Sequence, residues 1–141
     1  MKKIFYFLGL VAKIERLMLR IGKLRRSSGN VHAVNADVIK KVEKWIIDKR
    51  WNEDRSMLET AGDIGVSQEQ LSLYFRVVIG KAFLHWRKEI RIEEAKNLLL
   101  KDKSVPMLII AESVGINDKS NFRRQFKEVT GYTPAEWRLK H

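Results

Sequence analysis

The sequence contains no cysteine. That excludes a disulfide framework and a thiolate metal site, and it fits a reducing cytoplasm. Histidine is scarce, and His32, His85 and His141 have no metal-ligand spacing. There is no Gly-rich phosphate loop, nucleophile elbow or arrangement of paired carboxylates, so nothing speaks for an enzyme, a metal or a cofactor. Glu93-Glu94 reads as a surface or helix-pairing feature. Long apolar runs are missing too. Ile4 to Ala12 is uncharged but ends at Lys13, Glu15 and Arg16 without a small-residue cleavage site. It is far short of the roughly 20 apolar residues that a spanning helix needs. Period-two alternation is also absent, so the predicted fold is all-α.

What is present is positive charge. The chain has 141 residues, enough for one ordinary domain or two very small ones, and a globular balance of 32% charged and 45% hydrophobic residues. Its formal net charge is +11. Residues 1–30 hold eight Lys/Arg against one Glu, leaving twenty against sixteen for residues 31–141. A basic excess favours a polyanionic partner, either nucleic acid or an acidic lipid surface; the bland alternative is that it only aids solubility.

Residues 3–25 read as one amphipathic helix. Phe7, Ile14 and Ile21, and likewise Leu10, Leu17 and Leu24, recur every seven residues, with Val11 and Met18 widening the stripe. Three readings compete: a coiled coil that makes a homodimer, a helix packed on another domain, or a basic helix at a membrane. A polar linker, Arg25 to His32, follows. Asn35 is a plausible N-cap for a helix to about Lys49, whose apolar face is Val38, Ile39, Val42, Trp45 and Ile46. Trp51 to Ser56 reads as a short charged connection.

From Met57 onward the chain says the same thing twice. Ala61, Gly65, Val66 and Ser67 match Ala111, Gly115, Ile116 and Asn117 at an offset of fifty residues. Leu71, Phe75, Gly80, Trp86 and Arg87 match Phe122, Phe126, Gly131, Trp137 and Arg138 at fifty-one, so the second copy carries one extra residue in its turn. In the first copy a short helix over 57–64 meets Gly65, Ser67 caps a helix over 68–79 with Gln70 completing a capping box, and Gly80 ends it. Helix, glycine turn, capped helix is the sequence form of a helix-turn-helix. A long helix over about 82–100 follows, with Phe83, Trp86, Ile90, Ala95, Leu98 and Leu99 as its apolar face. Then the second copy opens, with Pro106 in the first turn of its leading helix, Asn117 or Asp118 as the next cap, and Thr133-Pro134 starting a final helix.

The second helix of each copy is the candidate for reading a DNA major groove, which admits a helix whose N-terminal residues reach base edges. In the first, Leu71, Tyr74 and Phe75 form the buried face, and Glu69, Ser72 and Arg76 the open one. In the second, Phe122 and Phe126 are buried while Lys119, Ser120, Arg123, Arg124 and Lys127 are open. One such pattern is no better than a solvated helix face; two in tandem are strong evidence. Trp86 and Trp137 read as core residues of their units, with base stacking a minor alternative. Arg87 and Arg138 either contact phosphate or pair with local acids, and the sequence leaves both open.

Residues 57–141 resemble the DNA-binding domain of the AraC/XylS transcription regulators, with 35–49 where that domain's first helix lies. The matching motifs are Ala61-x3-Gly65, Leu71-x3-Phe75-x4-Gly80, Arg91-Ile-Glu-Glu-Ala95-Lys-x-Leu98-Leu, Ile110-Ala111-x3-Gly115, and Asn121-Phe122-x3-Phe126-x4-Gly131-x2-Pro134-x2-Trp137-Arg138. The resemblance implies a bacterial, cytoplasmic, double-stranded DNA-binding regulator. Its organisation would be an N-terminal segment over 1–34 and a DNA-binding domain over 35–141, with helix-turn-helix units at about 57–80 and 105–131 joined by the long helix. Base contacts would come from Glu69, Ser72 and Leu73 in the first unit and from Lys119, Ser120, Arg123 and Arg124 in the second, with RNA polymerase as a further partner. The sequence departs from the family pattern at Leu73, where a basic residue is frequent, and at Ile116 and Asn121, where aromatics are common. Base readout is therefore expected mainly from the second unit. Residues 1–34 are too short for a ligand-binding sensor, which leaves a stand-alone regulator or the output portion of a longer one.

Overall fold

Capping residues and left-handed glycines mark off the elements of the fold. The structure is a computed structural model that describes residues 34–141; the readings of residues 3–32 as a heptad helix, dimer contact, membrane helix and linker lie outside the described residues. Helix α1 is Ala36–Ile47, and its cap Asn35 accepts the Asp37 N–H at 2.8 Å. A short 3₁₀ turn, Arg50–Asn52, follows Lys49, whose φ of 56° is left-handed. Helix α2 is Met57–Ile64 and α3 is Gln68–Tyr74, continued by a π-helical turn at Phe75–Ile79. Helix α4 is Phe83–Lys101, α5 Met107–Ser113, α6 Lys119–Thr130 and α7 Pro134–Lys140. No strand occurs among the described residues.

Two compact units result. The first holds the described residues up to Asp48 together with Met57–Phe83; the second holds Lys49–Ser56 and Leu84–His141. In the first unit α1 packs on α2 and α3. All five predicted positions of the α1 face are buried, as are Leu71, Tyr74 and Phe75. Phe83 closes this core, with ring centroids 5.0 Å from Phe75 and 5.9 Å from Trp45. In the second unit Ile92, Ala95 and Leu99 of α4 meet Ile110, Ala111, Val114, Ile116, Phe122 and Phe126 in one core. Trp137 packs against that core, its ring centroid 6.1 Å from Phe126. Each fully buried large apolar side chain of this kind contributes roughly 1.5–3 kcal/mol.

The long helix departs from its predicted face. Ile92 and Arg91 are buried where Ile90 was expected, and Ile90 is only half-buried. Ile92, Ala95 and Leu99 are spaced by three and four, so they make one stripe on their own. Pro106 is the residue before α5 rather than within its first turn. Trp51, expected in a charged connection, is 1% exposed.

The repeat is visible in the caps. Ser67 accepts the Gln70 N–H at 3.1 Å and Gln70 returns a bond to the Ser67 N–H, completing the capping box. In the second copy the cap is Asp118, whose Oδ1 accepts the Asn121 N–H at 2.6 Å, so the turn is one residue longer. From cap to closing glycine the two stretches, 67–80 and 118–131, are equally long. They end differently. The Gly80 N–H reaches back five residues to the Phe75 carbonyl, whereas the Gly131 N–H reaches back four to Lys127. A single wide turn therefore finishes the first of these helices.

Candidate nucleic-acid interface

A helix that buries one stripe presents the opposite stripe to solvent. On α6 the stripe of Phe122 and Phe126 is buried in the second core, and Lys119, Ser120, Arg123, Arg124 and Lys127 are all exposed. At 3.6 residues per turn, Ser120 and Arg124 fall opposite the buried phenylalanines, with Lys127 beside them and Lys119 and Arg123 toward one flank. Four cations thus share one exposed helix surface. In the first unit Glu69 and Arg76 are exposed, whereas Ser72 and Leu73 are half-buried. That helix offers one cation, Arg76, on a turn of π-helical form. The two sets of residues lie in separate units, and each set forms a surface within its own.

Arg124 is the most constrained side chain of the α6 surface. Its Nη1 donates to Glu128 Oε1 at 2.7 Å and its Nη2 donates to Asn121 Oδ1 at 2.7 Å. The Gln125 amide also donates to Asn121 Oδ1, at 3.1 Å. On the other side of Glu128, Lys88 Nζ of α4 reaches Oε2 at 3.4 Å. These bonds, Arg124 first and Lys88 second, hold the Glu128 carboxyl below the usual carboxylate range. Arg124, Glu128 and Lys88 border a cavity of about 390 Å³ within the second unit, with Arg87 and Arg91 also in its lining. Glu128 was not among the residues predicted from the sequence, although its spacing of four from Arg124 is that of a helical ion pair.

Three arginines of the second unit donate to backbone carbonyls. Arg91 donates from Nε to the Trp51 carbonyl at 2.7 Å and from Nη2 to the Glu53 carbonyl at 2.6 Å. Burial, reinforced by repulsion from Arg87 and opposed by attraction to Asp54, pushes its guanidinium down to about 10. It is still charged at neutral pH. Arg87 donates to the Arg55 carbonyl, and Arg138 donates to the Val105 carbonyl at 2.9 Å. Arg87 and Arg138 are repeat equivalents, and so are Arg55 and Val105. Each copy thus ties the residue two places before its leading helix to the arginine that follows its tryptophan. The sequence had left phosphate contact or local acids open for these arginines; both donate to backbone carbonyls, and each also lies in the attraction of a local acid, Arg87 in that of Asp54 and Arg138 in that of Asp102. The caps pair Ser67 with Asp118 rather than with Asn117, which makes Asn117 the extra turn residue of the second copy, and its amide donates to Asp54 Oδ2 at 2.6 Å.

No group of His, Asp and Glu among the described residues is arranged to hold a metal ion. Glycine turns, capped second helices and a cationic exposed face define the class: a tandem helix-turn-helix protein. A family model described as a helix-turn-helix domain matches residues 60–140. The arabinose operon regulatory protein of Escherichia coli K12 is 30% identical over 125 residues, covering 89% of this chain and 42% of the relative. This chain therefore spans less than half the length of that curated relative. Among solved structures, the C-terminal domain of AraT, a response regulator from Geobacillus stearothermophilus, is similar with a TM-score of 0.66 and 28% identity, over 77% of this chain and 88% of that one. The C-terminal domain of the response regulator yesN from Fusobacterium nucleatum has a TM-score of 0.63 at 28% identity, over 71% and 97%. The chain belongs to the AraC-type helix-turn-helix family of DNA-binding transcription regulators.

Proposed function

We propose that this chain binds duplex DNA sequence-specifically as a transcription regulator, acting in the bacterial cytoplasm and doing no chemistry of its own. The observation that carries the reading is the exposed α6 surface, with Lys119, Arg123, Arg124 and Lys127 set on a helix whose other face is core. A helix of this kind fits the major groove, where an arginine bonds guanine O6 and N7 together, at about 1–3 kcal/mol of discrimination per good pair. Lys119, Arg123 and Arg124 are assigned to base edges, Ser120 to either base or phosphate, and Lys127 to phosphate. In the first unit Glu69 is assigned to a cytosine amino group, with Ser72, Leu73 and Arg76 as further contacts; this unit has the lesser share of base reading. Affinity comes largely from phosphate contacts and falls steeply with salt. Residues 3–25 as a homodimer contact and RNA polymerase as a further partner complete the reading.

Selection of bound sites from random duplex DNA tests it. The parent is expected to return a defined motif, and Arg123→Ala and Arg124→Ala are each expected to relax it at one or two base pairs. Identical motifs from all three proteins would overturn the base-reading assignment.

A further inference from the structure

Arg124 is held at both ends of its guanidinium, and that geometry bears on what it can recognise. Asn121 lies one turn before it on α6 and Glu128 one turn after it, and each accepts a bond of 2.7 Å. Glu128 is itself held from outside the helix, by Lys88 of α4 at 3.4 Å. A guanidinium carries five N–H donors, so the two bonds leave enough for a two-bond contact to a guanine edge. The planar fork is thereby fixed in orientation before any DNA arrives, which reduces the ordering that binding would otherwise require. A carboxylate on a surface facing DNA also repels phosphate. It opposes any pose in which Arg124 merely lies along the backbone, and such opposition to wrong partners is one way specificity arises.

We infer that Glu128 is a specificity-determining positioning residue: it orients Arg124 for a base edge and, through Lys88, fixes that orientation to the long helix. This rests on the proposal that Arg124 reads a base. Glu128 acts through Arg124 rather than by touching DNA. It stays ionised across the neutral range, because Arg124 and Lys88 both lower its proton affinity. Removing the carboxylate therefore has two separable effects. Affinity for unrelated duplex rises, since a repulsive charge is gone. Discrimination at the base pair that Arg124 reads falls, since the guanidinium is no longer held.

The experiment uses the full chain and the site selected with it, together with each single-base variant of that site and an unrelated duplex, over a salt series. The proteins are the parent, Glu128→Gln, Lys88→Met, Arg124→Ala and the Arg124→Ala/Glu128→Gln pair. In Glu128→Gln, discrimination at the one base pair lost in Arg124→Ala is expected to fall roughly three- to tenfold while other base pairs keep theirs. Binding to the unrelated duplex is expected to tighten. Lys88→Met is expected to show a smaller fall at the same base pair, and the double variant no further loss beyond Arg124→Ala. Unchanged discrimination in Glu128→Gln, with a clear loss in Arg124→Ala, overturns the role of Glu128 alone. No loss in Arg124→Ala overturns the base-reading assignment and this inference with it. Equal losses at every base pair in Glu128→Gln, with a lowered unfolding midpoint, would mean that Glu128 only stabilises the fold.

Discussion

Arg91 donates its Nε–H to the backbone carbonyl of Trp51 at 2.7 Å, across forty residues of sequence, and the bond is buried. The same guanidinium serves the Glu53 carbonyl. Losing it leaves the buried Trp51 carbonyl without that donor, while the Glu53 carbonyl keeps the Arg55 N–H, and an unsatisfied buried acceptor costs about 1–3 kcal/mol. Arg91→Met, which keeps the aliphatic stem and removes the donors, is expected to lower stability to urea unfolding by about 1–3 kcal/mol. Arg91→Lys should recover only some of this, because an ammonium lacks the planar fork that spans two acceptors. A midpoint for Arg91→Met equal to that of the parent would show the two bonds to be incidental.

Gly65 and Gly115 are repeat equivalents with different constraints. Both are left-handed, with φ of 86° and 81°. A Cβ at Gly65 would meet only the end of Lys41, at 3.9 Å, whereas one at Gly115 would collide with the Asn52 carbonyl oxygen. Alanine in a left-handed conformation costs roughly 1–2 kcal/mol from sterics alone. Gly65→Ala is expected to stay within that range. Gly115→Ala should exceed it clearly, since a backbone carbonyl has to move. Denaturant midpoints of the two variants, measured side by side, check the ordering, and equal losses would contradict the close approach.

Arg138 and Lys127 separate support from recognition. Arg138→Met removes the bond to the Val105 carbonyl. It is expected to cost about 1–2 kcal/mol of stability, while the folded protein keeps its base preference and salt dependence. Lys127→Ala should do the reverse: stability within about 0.5 kcal/mol of the parent, with the slope of log affinity against log salt reduced by about one. Fluorescence anisotropy over a salt series, paired with thermal melts, distinguishes the two patterns. A changed salt slope in Arg138→Met would return this residue to the phosphate contacts.

Caps carry a further expectation. Ser67→Ala removes the Oγ that accepts the Gln70 N–H, while the backbone N–H of residue 67 can still donate to the Gln70 side chain, and Asp118→Ala removes the cap of α6. Each should lower stability by about 1 kcal/mol. Ser67→Gly should cost only a few tenths, because glycine is tolerated at an N-cap. Thermal unfolding of these variants reads the difference directly.

The features legible in the sequence are those whose cause is local. Asn35, Ser67, Asp118 and Thr133 cap helices because a side-chain oxygen can reach an N–H two or three residues on. The burial of Val42, Leu71, Phe122 and Phe126 followed from helical spacing, and the repeat made the two helix-turn-helix units recognisable. What stayed hidden depends on long-range partners. Arg91 is an arginine in a stretch of charges, and its burial shows only once Trp51 and Glu53 are brought beside it. Trp51 sits in a segment rich in charge, with no periodicity to mark it as buried. On the α6 surface the residue types were legible, but the grip of Asn121 and Glu128 on Arg124 depends on rotamers, and the tie to Lys88 on the fold.

The equal count of residues from Ser67 to Gly80 and from Asp118 to Gly131 has a practical meaning. Each stretch begins at its own cap and ends at a left-handed glycine, so the length of the turn before it does not alter the phase of the helix that follows. The added residue in the second turn is absorbed as Asn117 and turned into a tether to Asp54. The stretches behave as cassettes of one length, and their outward positions can be transplanted between copies without shifting a buried residue out of register. The wide last turn of the first cassette is the portion that would have to travel with its own glycine.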